Sequence, residues 1–248
     1  MNANELRRFA RTTALAALSV LPLLVALSCA TAPARTPQKI AFVGAGRMGS
    51  AIGTLLVGTG HEVMFSSRHP EELKPLVEKL GPHAHAGTVA EAVKFGDVIV
   101  LTIPYNGMPE LAKEFGQPLQ AKPLVIDVDN PVPNRDGAVG ALANNEGPGI
   151  YIKELMPNLK VVRAFNAINW AKLPEYATRQ GDSKVAAPIV GDDPKALALA
   201  GSLIREMGFE PVLVGGLAMS KYTVPGSPLA NDHTVVEARK MIAGLKEP

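Results

Sequence analysis

Residues 39–68 open with Lys39-Ile40-Ala41-Phe42-Val43-Gly44-Ala45-Gly46-Arg47-Met48-Gly49-Ser50, pass through a helical pattern, and close with His61-Glu62-Val63-Met64-Phe65-Ser66-Ser67-Arg68. An apolar run, Ile40 to Val43, stops at three glycines spaced as in a dinucleotide-binding βαβ unit, with a strand before them and a helix after. Gly44 permits the tight turn, Gly46 lets backbone approach a pyrophosphate, and Gly49 lets helix and strand pack closely. The helix N-terminus then offers free N–H groups and the positive end of its dipole to phosphates. The second strand ends at Ser67-Arg68-His69, with no carboxylate to hold a ribose 2′-hydroxyl. A hydroxyl and a guanidinium suit a 2′-phosphate, to which Arg makes forked, charge-assisted bonds. The stretch therefore reads as an NADP(H) site.

Working outward, strand and helix patterns alternate from Lys39 onward, which implies a Rossmann-type, doubly wound α/β fold with a mostly parallel sheet. Strands are expected at 39–43, 62–66, 97–103, 123–128, 160–164, 186–190 and 210–214. Helices are expected at 47–59, 70–80, 88–95, 106–115, 150–156 and 194–207. Residues 83–85 read as strand or loop. The Asn/Gly/Pro-rich stretch 129–149 reads as a functional loop. The organisation is one nucleotide-binding domain over 39–215, preceded by a linker at 35–38 and followed by a short, mostly helical tail at 216–248, interrupted by Pro-Gly-Ser-Pro at 225–228.

Composition narrows the classes. The 248 residues are 47% hydrophobic and 19% charged, which is globular. The net charge of +2 is carried by residues 1–34, where Arg7, Arg8 and Arg11 face Glu5, and the rest is balanced. That leaves no basic footprint for nucleic acid, and 5% aromatics supply no stacking platform for single strands. The lone cysteine, Cys29, excludes an internal disulfide and any cysteine metal site. His61, His69, His83, His85 and His233 show no metal-ligand spacing. No general acid or base is assigned and no metal is expected.

Arg7-Arg8-Phe9-Ala10-Arg11 before the uncharged stretch Thr12 to Ala34 reads as an export signal or membrane anchor, similar to a twin-arginine signal. Ala26-Leu27-Ser28-Cys29 is similar to a lipobox, which makes Cys29 a candidate lipidated residue, and Ala32-Pro33-Ala34 is the alternative cleavage site. The domain is then expected outside the inner membrane or attached to it.

In open α/β sheets ligands bind beyond the carboxyl ends of the strands. Ile103-Pro104-Tyr105, Asp127-Val128-Asp129-Asn130-Pro131 and Ala164-Phe165-Asn166-Ala167-Ile168 all fall at such ends, facing the nicotinamide of a bound cofactor. Together with Leu101-Thr102, Val125-Ile126, Val162-Arg163, Gly191-Asp192-Asp193 and Gly208-Phe209-Glu210-Pro211-Val212, these stretches resemble the NADP oxidoreductases dependent on coenzyme F-420, a deazaflavin. The resemblance extends to the pyrroline-carboxylate reductase N-terminal domain and the cytosolic domain of membrane metalloreductases.

The resemblance implies that Ala45, Gly46, Arg47 and Met48 lie along the pyrophosphate and Ser67 and Arg68 on the 2′-phosphate, with Gly44 and Gly49 completing the cofactor-binding turn. It places Ile103, Pro104, Tyr105 and Ala167 near the nicotinamide, where Asn130 also faces. A family lysine corresponds to Lys74 at a different spacing, and Tyr105 stands where some relatives carry Trp. The implied reaction is hydride transfer between NADP(H) and a deazaflavin, a flavin or another small ring acceptor. An acceptor pocket of Tyr105, Asn130, Trp170 and the tail favours an enzyme. A pocket blocked by the tail favours a non-catalytic sensor module. A homodimer is compatible with either.

Overall fold

A computed structural model describes residues 36–246. The export segment and Cys29 lie outside the described residues. In chain order the elements are β1 (Lys39–Val43), α1 (Arg47–Gly58), β2 (Glu62–Ser66), α2 (Lys74–Leu80), β3 (Ala84–Gly87), α3 (Val89–Phe95), β4 (Val98–Leu101), α4 (Met108–Gln120), β5 (Leu124–Asp127), α5 (Pro133–Glu146), α6 (Pro148–Leu155), β6 (Val161–Ala164), α7 (Leu173–Tyr176), β7 (Ala186–Gly191), α8 (Pro194–Glu206), β8 (Glu210–Gly215) and α9 (Val235–Ile242).

The strands form an eight-stranded sheet in the order β3-β2-β1-β4-β5-β6-β7-β8. Every neighbouring pair from β3 to β6 is parallel. The winding reverses between β1 and β4, so the crevice that binds ligands in such sheets opens beyond the ends of those two strands.

Alternation along the strands sends side chains to two cores. Ile40, Phe42, Val63, Phe65, Val100 and Ile126 pack on the face of α1 and α8. Ala41, Val43, Ile99, Leu101 and Val125 pack on the face of α3, α4 and α6. Phe42 and Phe65 stack with ring centres 5.5 Å apart. Gly53 of α1 makes room for them, since a Cβ there would lie 2.3 Å from the Phe65 ring. Burying one such ring contributes about 1.5–3 kcal/mol, so Gly53 brings α1 down onto β1 and β2.

Two expectations need correction, and one left open between strand and loop is strand. The stretch 129–149 is not a loop: α5 occupies most of it, broken at Gly137 (φ 57°, ψ −136°). The buried carboxylate of Asp136 accepts the Val132 N–H at 2.8 Å and takes the Arg135 guanidinium in a fork, which organises its first turn. Residues 84–87 form β3, paired with β2. The tail is less helical than expected, with a 3-10 run over 217–222, an irregular stretch, and then α9.

The far end of the sheet turns round. β7 runs antiparallel to β6, and β8 follows β7 in parallel. The β6–β7 pairing ends at Ala164 opposite Ile189. The next residue along β7 is Pro188, which has no N–H to extend the ladder. Beyond that point the chain leaves β6 through Phe165, in left-handed backbone (φ 62°).

Candidate dinucleotide and acceptor site

The three glycines do three separate jobs. Gly44 turns with φ 99°, and a Cβ there would meet the Thr102 carbonyl at 2.5 Å. Gly49 lies against β4, where a Cβ would come within 2.8 Å of Thr102 Oγ1 and 2.9 Å of the Gly44 carbonyl. Gly46 is different: a Cβ there would meet nothing within 4 Å. The turn is therefore closed around Gly44 and Gly49 and open at Gly46, where a pyrophosphate would approach. Gly46 is also the N-cap of α1, and no side chain caps this helix. Its first N–H groups stay available to an anion.

Two hydroxyls not singled out in the sequence hold this turn. Thr102 donates to the Gly44 carbonyl at 2.6 Å, and Ser66 donates to the Phe42 carbonyl at 2.7 Å. Ser66 also accepts the Gly44 N–H at 3.3 Å. Their signal was present: a glycine turn squeezed between two strand ends leaves backbone groups that short hydroxyl side chains can satisfy.

At the tip of β2, Ser67 is half-buried and its hydroxyl accepts the His69 N–H at 3.0 Å. Arg68 is exposed and makes no hydrogen bond or ion pair among the described residues. The neighbouring acid, Glu71, faces His69 at 3.5 Å. Lys74 is exposed and lies 3.8 Å from Glu78. Arg68 thus has its donors free on the strand next to the glycine turn.

Beyond β4, Ile103 is half-buried and Pro104 exposed, but the Tyr105 side chain is fully buried. Its hydroxyl donates toward Asp127 Oδ2 at 3.1 Å and accepts from Arg163 Nη1. The expected placing of Tyr105 on the nicotinamide or acceptor surface therefore does not hold for its ring. The ring instead anchors a polar network beneath the edge. Arg163, also fully buried, pairs with Asp127 and donates from Nη2 to the Asp129 carbonyl at 3.0 Å. Asn166 donates to the carbonyls of Asp127 and Asp129 at 3.2 and 2.8 Å, and Asn130 donates to the Asn166 carbonyl at 2.6 Å. The network ties together the carboxyl ends of β4, β5 and β6.

Burial raises the Asp127 carboxyl above its ordinary value, against the pull of Arg163. Burial, then the neighbouring Asp127 charge, raise Asp129 well above its own. Asp129 Oδ2, Asn130 Oδ1, Asn166 Oδ1 and Arg163 Nε are buried and unpaired. Three of these four are acceptors and only Arg163 Nε is a donor, so a proton on Asp129 adds a donor to a cluster short of them.

Ala167 is half-buried, and its carbonyl accepts the Asn231 N–H of the tail at 2.9 Å. The tail then bridges Thr234 to Val185 beside β7. Trp170 does not join Tyr105. It is 41% exposed and lies under the Arg47 guanidinium, 5.5 Å from its ring centre. Of the expected site residues, the structure gathers Gly44 to Gly49, Ser67, Arg68, Ile103, Pro104, Asn130 and Ala167 along the carboxyl edge.

Elsewhere, His83 and His85 both reach Glu62, and His61 reaches Glu206. Among the described residues no group of three or more His, Cys, Asp or Glu side chains could hold a metal ion.

The doubly wound sheet and its glycine turn are those of a Rossmann-type dinucleotide-binding fold. Residues 39–131 match the family model described as NADP oxidoreductase, coenzyme F420-dependent, in line with the resemblance carried by the motifs. The chain is 30% identical over 198 residues to metalloreductase STEAP3 of Rattus norvegicus, a match covering 78% of this chain and 37% of that protein. It therefore spans little more than a third of that relative's length. Over 104 residues it is 35% identical to a glycerol-3-phosphate dehydrogenase [NAD(P)+] of Limosilactobacillus reuteri, covering 36% of this chain and 31% of that one. Among solved structures, a hypothetical protein of Sinorhizobium meliloti superposes with a TM-score of 0.67 at 26% identity, over 79% of this chain and 95% of that one.

Proposed function

We propose that the chain is an NADPH-dependent reductase that passes hydride to a small ring acceptor, a deazaflavin or flavin in the first instance. One observation carries the reading: the open position at Gly46 and the unpaired Arg68 lie on adjacent strand ends, with no carboxylate at the β2 tip. The glycine turn receives the pyrophosphate, Ser67 and Arg68 take the 2′-phosphate, and Ile103, Pro104, Asn130 and Ala167 wall the nicotinamide. The nicotinamide, when bound, supplies the hydride. The protein supplies position and exclusion of water, so no side chain need act as acid or base on a flat acceptor.

The uncharged segment behind Arg7, Arg8 and Arg11 supports export, with the domain either tethered through Cys29 or free after cleavage.

The test is NADPH oxidation against deazaflavin, flavin, quinone and ferric acceptors, the last because one relative is named a metalloreductase. Turnover with a ring acceptor is expected. Tight NADPH binding with no turnover on any acceptor replaces the enzyme with a non-catalytic sensor. For Arg68→Ala, loss of a charge-assisted contact should weaken NADPH roughly 10- to 100-fold and leave NADH unchanged. Equal losses for both cofactors remove Arg68 from the 2′-phosphate.

A further inference from the structure

Arg47 is the first residue of α1, at the open end of the glycine turn, and is exposed. It makes no hydrogen bond or ion pair among the described residues, and its guanidinium lies 5.5 Å from the Trp170 ring centre. Trp170 opens a short 3-10 turn, 170–172, capped by the Asn169 side chain. The turn packs against α1 and is pinned on either side by buried Ile168 and Leu173. An indole is a large apolar surface to leave 41% exposed, and this one sits beside the residues assigned to the pyrophosphate.

We propose that Trp170 is the stacking surface for a planar aromatic second substrate, and that Arg47 latches it until a pyrophosphate draws the guanidinium away. The proposal rests on the dinucleotide reading of the glycine turn. Relative strengths give it direction. An exposed cation–π contact favours the closed arrangement by roughly two- to fivefold. A charge-assisted bond from Arg to a phosphate oxygen is worth roughly ten- to a hundredfold. The phosphate wins, Arg47 moves, and the indole face is freed. Binding is therefore coupled: the dinucleotide raises the affinity for the flat acceptor by a factor of roughly three to six.

Trp170 is the chain's single tryptophan, so its emission reports on this one position. The probes are 2′-phospho-ADP-ribose, which has the pyrophosphate but no nicotinamide ring, and 2′-AMP, which has neither. Calorimetry first establishes that 2′-phospho-ADP-ribose binds. If it does not, the dinucleotide reading fails, and the latch with it. Once it is bound, quenching of Trp170 by neutral acrylamide should rise about two- to fivefold. 2′-AMP should leave it unchanged. Arg47→Ala should show the raised quenching with no nucleotide present, its fold checked by circular dichroism. Riboflavin, as the flat-ring probe, should quench Trp170 in the nucleotide-bound protein and in free Arg47→Ala at concentrations roughly three- to sixfold lower than in the free wild type. Nucleotide binding without a change in quenching overturns the latch and leaves the dinucleotide site standing. Riboflavin that ignores the nucleotide-bound protein, or binds Trp170→Ala as well as wild type by calorimetry, overturns the stacking surface.

Discussion

At the scale of single residues, Asp129 has the least settled environment in the molecule. Its neighbour Asp127 is matched by Arg163 and Tyr105, and Arg163 spends its remaining Nη on a backbone carbonyl. Arg135, the other nearby cation, is forked onto Asp136. Asp129 is left without a cation of its own. Because its carboxyl titrates above the ordinary range in the fold, the native state holds a proton that the unfolded chain has released. Stability must then fall as pH rises from the unfolded value, about 4, to the raised folded value, and level off above it. Asp129→Asn removes that dependence. Its stability relative to wild type, from urea unfolding at a series of pH values, should climb with pH through that window. A difference that stays flat with pH contradicts the protonated Asp129.

At the scale of elements, the glycine turn separates two kinds of failure. Gly44→Ala forces a side chain into left-handed backbone and onto the Thr102 carbonyl, so it should lower the melting temperature and dinucleotide affinity together. Gly46→Val places its branches in open space, so the fold should melt like wild type while NADPH binding, read by calorimetry, is lost. Equal NADPH titrations for Gly46→Val and wild type would remove the pyrophosphate from this turn. This part of the molecule was legible in the sequence because spacing and strand context follow directly from what a βαβ unit needs. Other parts were not. α5 carries Pro133, Gly137, Gly140 and three asparagines, which read as loop, and it is held by Asp136 and by packing on α6 that no local pattern shows. β3, Ala-His-Ala-Gly, has no β-branched residue and exists because β2 offers it an edge. Tyr105 was read by its place at a strand end, which does not say whether a side chain points outward or down. Its burial follows from Arg163, an arginine in an apolar strand whose partners lie at the end of β5 and just beyond β4 and β5.

At the scale of the whole molecule, the N-terminal arginines predict where the domain works. Changing Arg7 and Arg8 together to Lys should hold the protein in the cytoplasm, and Cys29→Ala should release it from the membrane without altering export. Fractionation of cells expressing each variant reads both outcomes, and wild-type protein found soluble in the cytoplasm ends the export proposal. The sheet itself carries a further consequence. With Pro188 in an interior strand, β7 has no N–H to offer at the position after Ile189, so the gap where the β6–β7 ladder ends is favoured by covalent structure. Loop insertions elsewhere along the carboxyl edge can drift in length or conformation without closing it. That makes half-buried Ala167 and exposed Asn169 the natural places to diversify when reshaping acceptor preference by directed evolution, and Pro188 a residue such a library should leave alone.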